Sequence, residues 1–471
     1  MSKRGPIAAD PTIMTVDIGG SKFMPGFADA RGNILATERH EWTDRTPEGI
    51  VEQVVREMRR MCDEHPDLAA RAVAGGITIP AFADPVRGIW VDSDYLDVRD
   101  LPICDLLSER LGVPFYGDND CNACVLAESF FGGAKGARDF LYMTVSSGVG
   151  GGVFLDGELY YGARYQSGEI GLTISEVGGR PSLSGNQLGP LEMYGCSVGM
   201  ARTYAELGGP CEVGGHPVGG MEIADAARAG DAAALRTVEL EGRYLGRAIA
   251  NAACLCAPEC VVVGGGISLL FDLYEQPLLA QLERLDEGLR PDVRPSVLGY
   301  EGAFLAAAAC GLRGSQDFER ALGAGGDEAC VLEVGLERMP YAVHVTSRLV
   351  VDGVVRARGD APGLGGYLVA SGIEDAGRTL DEMMSGADLA AALEGDEGAL
   401  NRAVEAAEAL GRALAFSCML LDPGTIRLTG ELAQARGLLE EPVLEVIQRE
   451  TYWEQGKVPY LIAWDAEAQL V

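Results

Sequence analysis

An internal repeat constrains the fold of this chain more than any other feature of its sequence. The stretch DAAALRTVELEGRYLGRAIANAACLCAPECVVVGG at 231–265 aligns without a gap on DEGALNRAVEAAEALGRALAFSCMLLDPGTIRLTG at 396–430. Upstream, VFLDGELYYGA at 153 resembles LVVDGVVRARG at 349. The residues that recur at the same spacing of 165 are the LGRA segments at 245–248 and 410–413, Pro258 with Pro423, Gly265 with Gly430, and Pro277 with Pro442. Two matched stretches in the same order predict that a whole lobe occurs twice, with 325–471 as a second, degenerate copy.

The composition is that of an ordinary globular protein. Hydrophobic residues make up 47% of the 471 residues and charged residues 23%, which leaves room for about three domains. No apolar run reaches the length of a membrane span, and the N-terminus lacks a signal peptide, so we expect a cytoplasmic protein. Twelve cysteines in apolar surroundings favour reduced, buried thiols. Cys121 and Cys124 form a CxxC without the second pair that a metal site would need.

The net charge of −32 excludes two classes of partner. Nucleic acids and anionic membranes both require a basic face, so neither is expected to bind here. Small substrates are not excluded, because a local site can oppose the overall field.

Strand-like and helix-like segments alternate along the first 300 residues. TIMTVD at 12–17 and AVAGGITIP at 72–80 are typical of strands, and Thr46 with Pro47 predicts the start of a helix. The apolar face of that helix consists of Ile50, Val51, Val54, Val55, Met58, Met61 and Cys62. The alternation predicts an α/β fold with a partly parallel sheet.

Three glycine-rich segments each follow a predicted strand: DIGGSK at 17–22, SSGVGGG at 146–152 and VVVGGGIS at 261–268. Glycines let the backbone approach a phosphate closely, although any one of these segments could be a tight hairpin turn. None fits the Walker A or GxGxxG pattern. Between the first two lies YGDNDCNACVLAE, in which Asp118 or Asp120 could cap a helix or take part in chemistry.

Taken together, these motifs resemble those of the ROK family (repressor, open reading frame, kinase), two-lobed sugar kinases of the actin/hexokinase superfamily. The matching segments are DIGGSK, DNDCNA, TVSSGVGGG, SGEIG, LEMY and VVVGGGIS, in family order over residues 12–314. The resemblance implies a two-lobed actin-like ATPase (ribonuclease H-like) α/β fold with an additional degenerate C-terminal lobe. Its N-terminal lobe would span 1–119, completed by about 303–314, and its C-terminal lobe 120–302, followed by the degenerate repeat at 325–471.

The resemblance also implies a function: transfer of phosphate from ATP, with Mg²⁺, to a hexose hydroxyl, as in a glucokinase. Asp120 matches the family's general base, and Asn119, Glu169 and Glu192 match its sugar ligands. Asp17 matches the residue that places magnesium, through water. The positions that would line the nucleotide are Gly19, Gly20, Ser21, Lys22, Ser147, Gly148, Gly264 and Gly265. Asp118 is expected to be structural.

The sequence departs from the family pattern at several positions. The family's zinc site has a histidine and three cysteines, and Leu172, Ser182, Ser184 and Pro190 stand there instead, so no zinc is expected. In IPAFADP at 79–85 the family favours Pro-Gly, and Ala81 and Phe82 make the sugar side of that turn bulkier. These departures keep an alternative open: a non-catalytic ROK-type sugar-binding or regulatory protein. A DNA-binding repressor is not expected, because only about sixteen residues precede Asp17.

The second copy is expected to be a scaffold. Opposite the GEIG segment at 168–171 it has GGYL at 365–368, so the sugar glutamate is absent. One active site per chain is therefore predicted, in a largely monomeric chain whose second lobe docks on the first as an internal pseudo-dimer.

Overall fold

The chain folds into two compact units in a computed structural model. Among the described residues, the first unit contains 10–137 and 296–315, and the second contains 138–295 and 330–468. The expected start of the second copy at 325 lies outside the described residues, and no described helix is long and apolar enough to cross a membrane. The structure describes residues 10–93, 96–315, 330–339, 342–356, 364–369, 378–452 and 460–468.

The first unit is built on a mixed sheet with the strand order β3-β2-β1-β5-β9, and β4 also pairs with β2. Its strands are β1 (Thr12–Ile18), β2 (Lys22–Asp29), β3 (Ile34–Thr37), β4 (His40–Glu41), β5 (Ala72–Ile79) and β9 (Phe115–Asn119). A smaller antiparallel sheet contains β6 (Phe82–Asp84), β7 (Ile89–Ser93) and β8 (Val98–Leu101). The helices are α1 (Pro47–Glu64), α2 (Pro66–Ala69), α3 (Ile103–Leu111), α4 (Asp120–Phe130) and α9 (Gly302–Ser315). The predicted lobe boundary at 119/120 falls between β9 and α4 of this unit, and α9 packs on β1 and β5.

Helix α1 forms where its sequence predicts it. Thr46 is the N-cap, with its hydroxyl accepting the Gly49 N–H at 3.1 Å, and Pro47 occupies the first helical position. Six of the seven residues predicted for its apolar face are buried, and Cys62 is partly buried. The pattern therefore predicted both the start of the helix and the face that enters the core.

The N-terminal half of the second unit repeats the same sheet plan, with the strand order β12-β11-β10-β15-β16. The strands are β10 (Phe140–Val145), β11 (Val149–Leu155), β12 (Glu158–Tyr160), β15 (Cys260–Gly264) and β16 (Asp292–Pro295), and β13 (Glu212–Val213) pairs with β14 (His216–Pro217). The helices are α5 (Ser197–Glu206), α6 (Gly220–Arg228), α7 (Ala232–Cys256) and α8 (Phe271–Leu282). Strand β10 runs antiparallel to β11 and parallel to β15.

The C-terminal half of the second unit has a sheet of the same order, β19-β18-β17-β22-β23. The strands are β17 (Cys330–Met339), β18 (Ala342–Val351), β19 (Val354–Val355), β22 (Thr425–Thr429) and β23 (Leu461–Asp465), and β20 (Leu368–Val369) pairs with β21 (Arg378–Thr379). The helices are α10 (Leu380–Gly386), α11 (Leu389–Leu393), α12 (Glu397–Leu421), α13 (Gly430–Gln434) and α14 (Arg436–Glu450). Strand β17 runs antiparallel to β18 and parallel to β22, as β10 does with β11 and β15.

The long helices α7 and α12 agree residue by residue with the sequence repeat. Both have 25 residues, and each begins after an aspartate whose side chain accepts the third helical N–H: Asp231 in α7 and Asp396 in α12. Both end at a residue with a φ of 44°, Ala257 or Asp422. The spacing of 165 therefore holds at both ends of the helix.

The glycine of the LGRA segment is the point where a second helix crosses closely. A Cβ built on Gly246 would lie 2.4 Å from the Leu278 carbonyl oxygen of α8. In the other half, a Cβ on Gly411 would lie 2.8 Å from the Val446 Cβ of α14. A side chain at either position would force the helices apart, which explains why glycine stands at both.

One apolar core extends through both halves of the second unit. It contains Leu245 and Ile249 of α7 together with Leu410 and Leu414 of α12. All twelve cysteines lie in the described part of the chain and none forms a disulfide. Burial raises the pKa of several of them, to about 12 for Cys254, so those thiols are protonated near neutral pH.

We predict that Gly246→Ala lowers the free energy of unfolding by about 1–3 kcal/mol, because the added methyl group overpacks the crossing with α8. The control is Gly437→Ala in α14, where a Cβ would meet nothing within 4 Å. That change should be neutral or stabilise by up to about 1 kcal/mol. Chemical denaturation of both variants measures the difference, and an equal effect at the two sites would contradict the crossing argument.

Candidate functional site

The first glycine segment is the turn between β1 and β2. The Gly19 N–H donates to the Lys22 carbonyl at 2.9 Å, and the Trp42 indole N–H donates to the Gly19 carbonyl at 2.9 Å. Gly20 and Ser21 are exposed at the tip. The segment is thus a short hairpin whose tip is accessible to a ligand.

Asp17 lies at the end of β1, one residue before this turn. Its Oδ1 accepts the Thr78 hydroxyl of β5 at 2.7 Å, and that hydroxyl accepts the Ile18 N–H at 3.0 Å. Burial raises the pKa of Asp17, while the Thr78 hydrogen bond and the nearby Lys22 act in the opposite direction. A cation beside a buried carboxylate stabilises its ionised form and lowers its pKa.

The N-cap of α4 is Asn119, not either of the two aspartates that flank it. Its Oδ1 accepts the N–H of Cys121 at 2.9 Å, and its Nδ2 donates to the Ala81 carbonyl at 2.6 Å. Asp118 is buried, and its Oδ1 accepts the Asn119 N–H at 2.8 Å and the Asn122 side-chain amide at 3.2 Å. Asp118 thus braces the turn into the helix, a structural role.

Asp120 is the first residue of α4 and retains exposed surface. Its Oδ1 accepts the Cys121 N–H at 2.8 Å. Crowding by protein atoms raises the pKa of Asp120 and the Asp17 carboxylate adds to the rise, while hydrogen bonds with the N–H and with the thiol of Cys121 oppose it. Within the first unit, the structure therefore brings Asp120 and Asp17 into electrostatic contact, although 103 residues separate them in the sequence.

Ala81, whose carbonyl accepts from Asn119, has a left-handed backbone with a φ of 64°. Residues other than glycine are strained in that conformation, because their Cβ lies too close to the backbone. Phe82 beside it is exposed. The position where the family favours glycine therefore keeps the conformation that glycine would adopt without strain.

In the second unit, the second glycine segment is the turn between β10 and β11. The Ser146 N–H donates to the Gly148 carbonyl at 2.9 Å, and Ser147 is exposed. Glu192 lies against this turn: its Oε2 accepts the Val149 N–H at 3.1 Å, and a Cβ on Gly148 would lie 2.5 Å from the same oxygen. Burial raises the pKa of Glu192 and the Val149 N–H opposes the rise. The sequence did not predict this link between Glu192 and the 146–148 turn.

The third glycine segment follows β15. Gly265 has a φ of 80°, and a Cβ there would lie 2.4 Å from the Val145 carbonyl. A Cβ on Gly264 would lie 2.3 Å from the Tyr142 hydroxyl. The close packing of this segment against Tyr142 and Val145 of β10 requires glycine at both positions, whether or not a nucleotide binds.

Glu169 precedes a short 3₁₀ helix at Ile170–Leu172, in the loop that follows β12. The structure thus places Ser147, Gly148, Glu169, Glu192, Gly264 and Gly265 in the second unit, and Asp17, Gly19, Gly20, Ser21, Lys22, Asn119 and Asp120 in the first.

The segment that replaces the family's zinc motif is held by an arginine. Arg180 donates to the Met193 carbonyl at 2.8 Å and to the Glu206 carboxylate at 2.6 Å, and its guanidinium lies 4.6 Å from the centre of the Tyr194 ring. Leu172 packs against the core, and the Ser182 and Ser184 hydroxyls are 3.2 Å apart. This set does not fit zinc, and the described residues contain no group of three or more His, Cys, Asp or Glu side chains able to hold a metal.

Comparison with known proteins decides the family. The sequence profile described as "ROK family" matches residues 13–308, well over half of the chain. The chain belongs to the ROK family. Residues 309–471 lie beyond the matched region.

Relatives of this ROK protein include both kinases and a repressor. A glucokinase from Halalkalibacterium halodurans is 30% identical over 287 residues, covering 58% of this chain and 86% of the relative. The DNA-binding transcriptional repressor Mlc of Escherichia coli is 26% identical over 265 residues, covering 55% of this chain and 65% of Mlc.

A solved ROK structure confirms the fold class. The ROK family glucokinase from Streptomyces griseus, in complex with glucose and AMPPNP, matches with a TM-score of 0.54 at 27% identity. The match covers 65% of this chain and all of that one. The two-lobed actin-like α/β fold predicted from the motifs is therefore correct, with an additional C-terminal region.

We predict that Ala81→Gly raises the free energy of unfolding by about 0.5–1 kcal/mol. Relief of a left-handed alanine contributes about 1–2 kcal/mol, and the greater freedom of glycine in the unfolded chain removes part of that gain. The control is Ala83→Gly within β6, which should cost about 0.5–1 kcal/mol. Denaturation curves that show the same loss for both variants would contradict the strain at Ala81.

Proposed function

We propose that this chain is an ATP-dependent kinase of a hexose hydroxyl, with Asp120 as the general base. The observation that carries the proposal is the Asp120 carboxylate at the start of α4. It is exposed, its pKa is raised, and it stands in the NDxN segment of a ROK chain. A base functions best when its pKa lies closer to the working pH than that of an ordinary carboxylate.

In the proposed step, the sugar hydroxyl oxygen attacks the γ-phosphorus of ATP in line with the bond that breaks. The hydroxyl proton passes to Asp120, and ADP leaves with the bridging oxygen. Little covalent chemistry is required of the protein, so positioning and charge neutralisation dominate. The Cys121 N–H on Oδ1 orients the Asp120 carboxylate, with Oδ2 as the proposed proton acceptor.

The proposed sugar ligands are Asn119, Glu169 and Glu192. An amide nitrogen carries two hydrogens, so Asn119 can donate to the Ala81 carbonyl and to a sugar hydroxyl at once. Glu192 would join the sugar to the 146–148 turn, because it already binds that turn through the Val149 N–H. The nucleotide would lie against the three glycine segments, at Gly19, Gly20, Ser21, Lys22, Ser147, Gly148, Gly264 and Gly265.

Asp17 is a suitable residue to hold Mg²⁺ through water. Magnesium prefers oxygen ligands, and the partly buried Asp17 carboxylate is one whose ionisation is disfavoured until a cation is present. When bound, the ion would neutralise phosphate charge. No zinc has a place in this proposal.

A non-catalytic sugar-binding or regulatory protein is the second candidate function. Leu172, which packs against the core where the family has a histidine, and the strained Ala81 both favour it. A coupled ADP-release assay across hexoses and N-acetylhexosamines separates the candidates. Release with at least one sugar supports the kinase; sugar binding by calorimetry without release with any sugar supports the alternative.

We predict that Asp120→Asn lowers kcat by about 10²–10⁴-fold while sugar binding and thermal stability stay close to wild type. The control is Asp118→Asn, because Asp118 braces the turn beside the base. That variant should lose stability and keep most of kcat. Near-normal turnover in Asp120→Asn would remove Asp120 from the role of base.

We also propose that the C-terminal half of the second unit is a degenerate copy of its N-terminal half and docks on it as an internal pseudo-dimer. The contacts between the halves are reciprocal, which supports this. The 3₁₀ helix at Ile170–Leu172 packs on α12, and the one at Leu364–Gly366 packs on α7. A short connection gives docking partners an effective concentration of order mM, so even a modest interface would be saturated.

This arrangement predicts one active site per chain and a largely monomeric protein. Light scattering at micromolar concentration should give the mass of one chain, 49.7 kDa. A stable mass of twice that value would show that two chains pair with each other, and it would contradict the pseudo-dimer.

A further inference from the structure

The last turn of α12 ends against the loop that carries Glu169. The last four carbonyl groups of a helix have no partner within the helix and need donors from elsewhere. In α12 the first of them, Cys418, accepts the Asp422 N–H at 3.0 Å. The other three accept donors from residues 160–169: Glu169 N–H to Met419 at 3.0 Å, Gly168 N–H to Leu420 at 2.8 Å, and the Tyr160 hydroxyl to Leu421 at 2.7 Å. One loop therefore completes the open end of this helix.

Asp422, which follows the helix, binds the same loop through its carboxylate. The residue is fully buried, and its Oδ2 accepts the Arg164 N–H at 2.6 Å and the Gln166 N–H at 3.3 Å. Its Oδ1 accepts the Arg164 guanidinium, and its main-chain carbonyl accepts the Ala163 N–H at 2.7 Å. Gly162 packs so closely that an added Cβ would lie 2.5 Å from the Asp422 Cβ. Three backbone N–H groups of the loop, those of Ala163, Arg164 and Gln166, are thus bound to one residue.

Helix capping alone does not account for this carboxylate. Aspartate tolerates the left-handed conformation well, so a plain cap is the simpler explanation of Asp422. However, Ala257 ends α7 at the matching position with the same φ of 44°. The cap geometry needs no carboxylate, and the contacts with the loop are what distinguish the two helix ends.

The reciprocal contact in the other half lacks a ligand side chain. Gly366 matches Glu169 in the sequence repeat, and a Cβ on Gly366 would lie 2.8 Å from the Cys254 Sγ of α7. Cys254 and Met419 are 165 residues apart, so the two loops meet equivalent turns of the two helices. At the matched position the loop held by α12 therefore has Glu169, and the loop held by α7 has Gly366.

We propose that Asp422 and the last turn of α12 position Glu169, so that the C-terminal region supports the sugar site without touching the sugar. The inference rests on the proposed function, in which Glu169 binds a sugar hydroxyl. Misplacement of a binding group by about 1 Å can cost about 10²-fold in rate, so a loop with this role requires a rigid support. Asp422 is accordingly a positioning residue.

The test compares Asp422→Ala and Asp422→Asn with Asp396→Ala in the full chain. Asp396 caps the opposite end of α12 through the Ala399 N–H, so its variant weakens the same helix and leaves the loop contacts in place. Burial raises the pKa of Asp422 to about 6 and Arg164 opposes the rise, so measurements at pH 8 keep the carboxylate ionised.

Two measurements are made on each variant. Hydrogen exchange of residues 160–172 should lose about tenfold or more of its protection in Asp422→Ala, stay at wild type in Asp396→Ala, and be intermediate in Asp422→Asn, which keeps one acceptor oxygen. The sugar KM should rise by about 10–10²-fold in Asp422→Ala while the ATP KM changes by less than about twofold.

Exchange and sugar KM in Asp422→Ala equal to those in Asp396→Ala would overturn the inference. If Asp422→Ala does not fold, the exchange and the sugar KM of Asp422→Asn are compared with those of Asp396→Ala instead. Equal values would again overturn the inference. A wild-type protein that phosphorylates no sugar would overturn the kinase proposal alone. The exchange measurement and a calorimetric titration with sugar would then still decide whether α12 positions Glu169.

Discussion

The second unit depends on the burial of two long alanine-rich helices in one apolar core. Alanine and glycine on α7 and α12 let α8 and α14 approach closely, as the crossings at Gly246 and Gly411 require. Because the core runs without a break through both halves, removing the C-terminal half would expose apolar surface on the N-terminal half. The described residues from 330 onward, which lie beyond the ROK match, are therefore part of the same folded unit as 138–295.

Polar groups that are buried between the two halves of the second unit need hydrogen-bond partners there. A buried polar group without such a partner lowers the stability of the fold. The Gln187 side-chain amide donates to the Leu172 carbonyl at 2.6 Å and to the Glu450 carbonyl at 2.8 Å. The Asn251 side-chain oxygen accepts the Leu368 N–H at 2.8 Å. The Gln187–Glu450 and Asn251–Leu368 hydrogen bonds each join residues more than a hundred positions apart, so both require the halves to dock in one geometry. The apolar core supplies the stability and these hydrogen bonds select the arrangement.

Sequence alone predicted the local features well, because they depend on neighbouring residues. The start of α1 follows from Thr46 and Pro47, and the spacing of 165 found in the repeat holds at both ends of α7 and α12. The details that escaped prediction depend on distant contacts. Asn119, and not Asp118 or Asp120, is the cap because its amide also reaches Ala81, and the pairing of Asp422 with Arg164 spans 258 positions. A one-dimensional pattern carries no sign of either.

Comparison of the two halves of the second unit distinguishes residues that the fold requires from residues that a ligand would require. The N-cap aspartates and the LGRA glycine occur in both halves, and capping or packing accounts for each. Glu169 occurs in one half only, and Gly366 fills the matching place without disturbing the contact with its helix. The fold therefore does not need a carboxylate at that place. The loop that carries Glu169 is held to α12 and Asp422 by more than five hydrogen bonds, and this rigid support is consistent with the proposal that Glu169 binds a ligand.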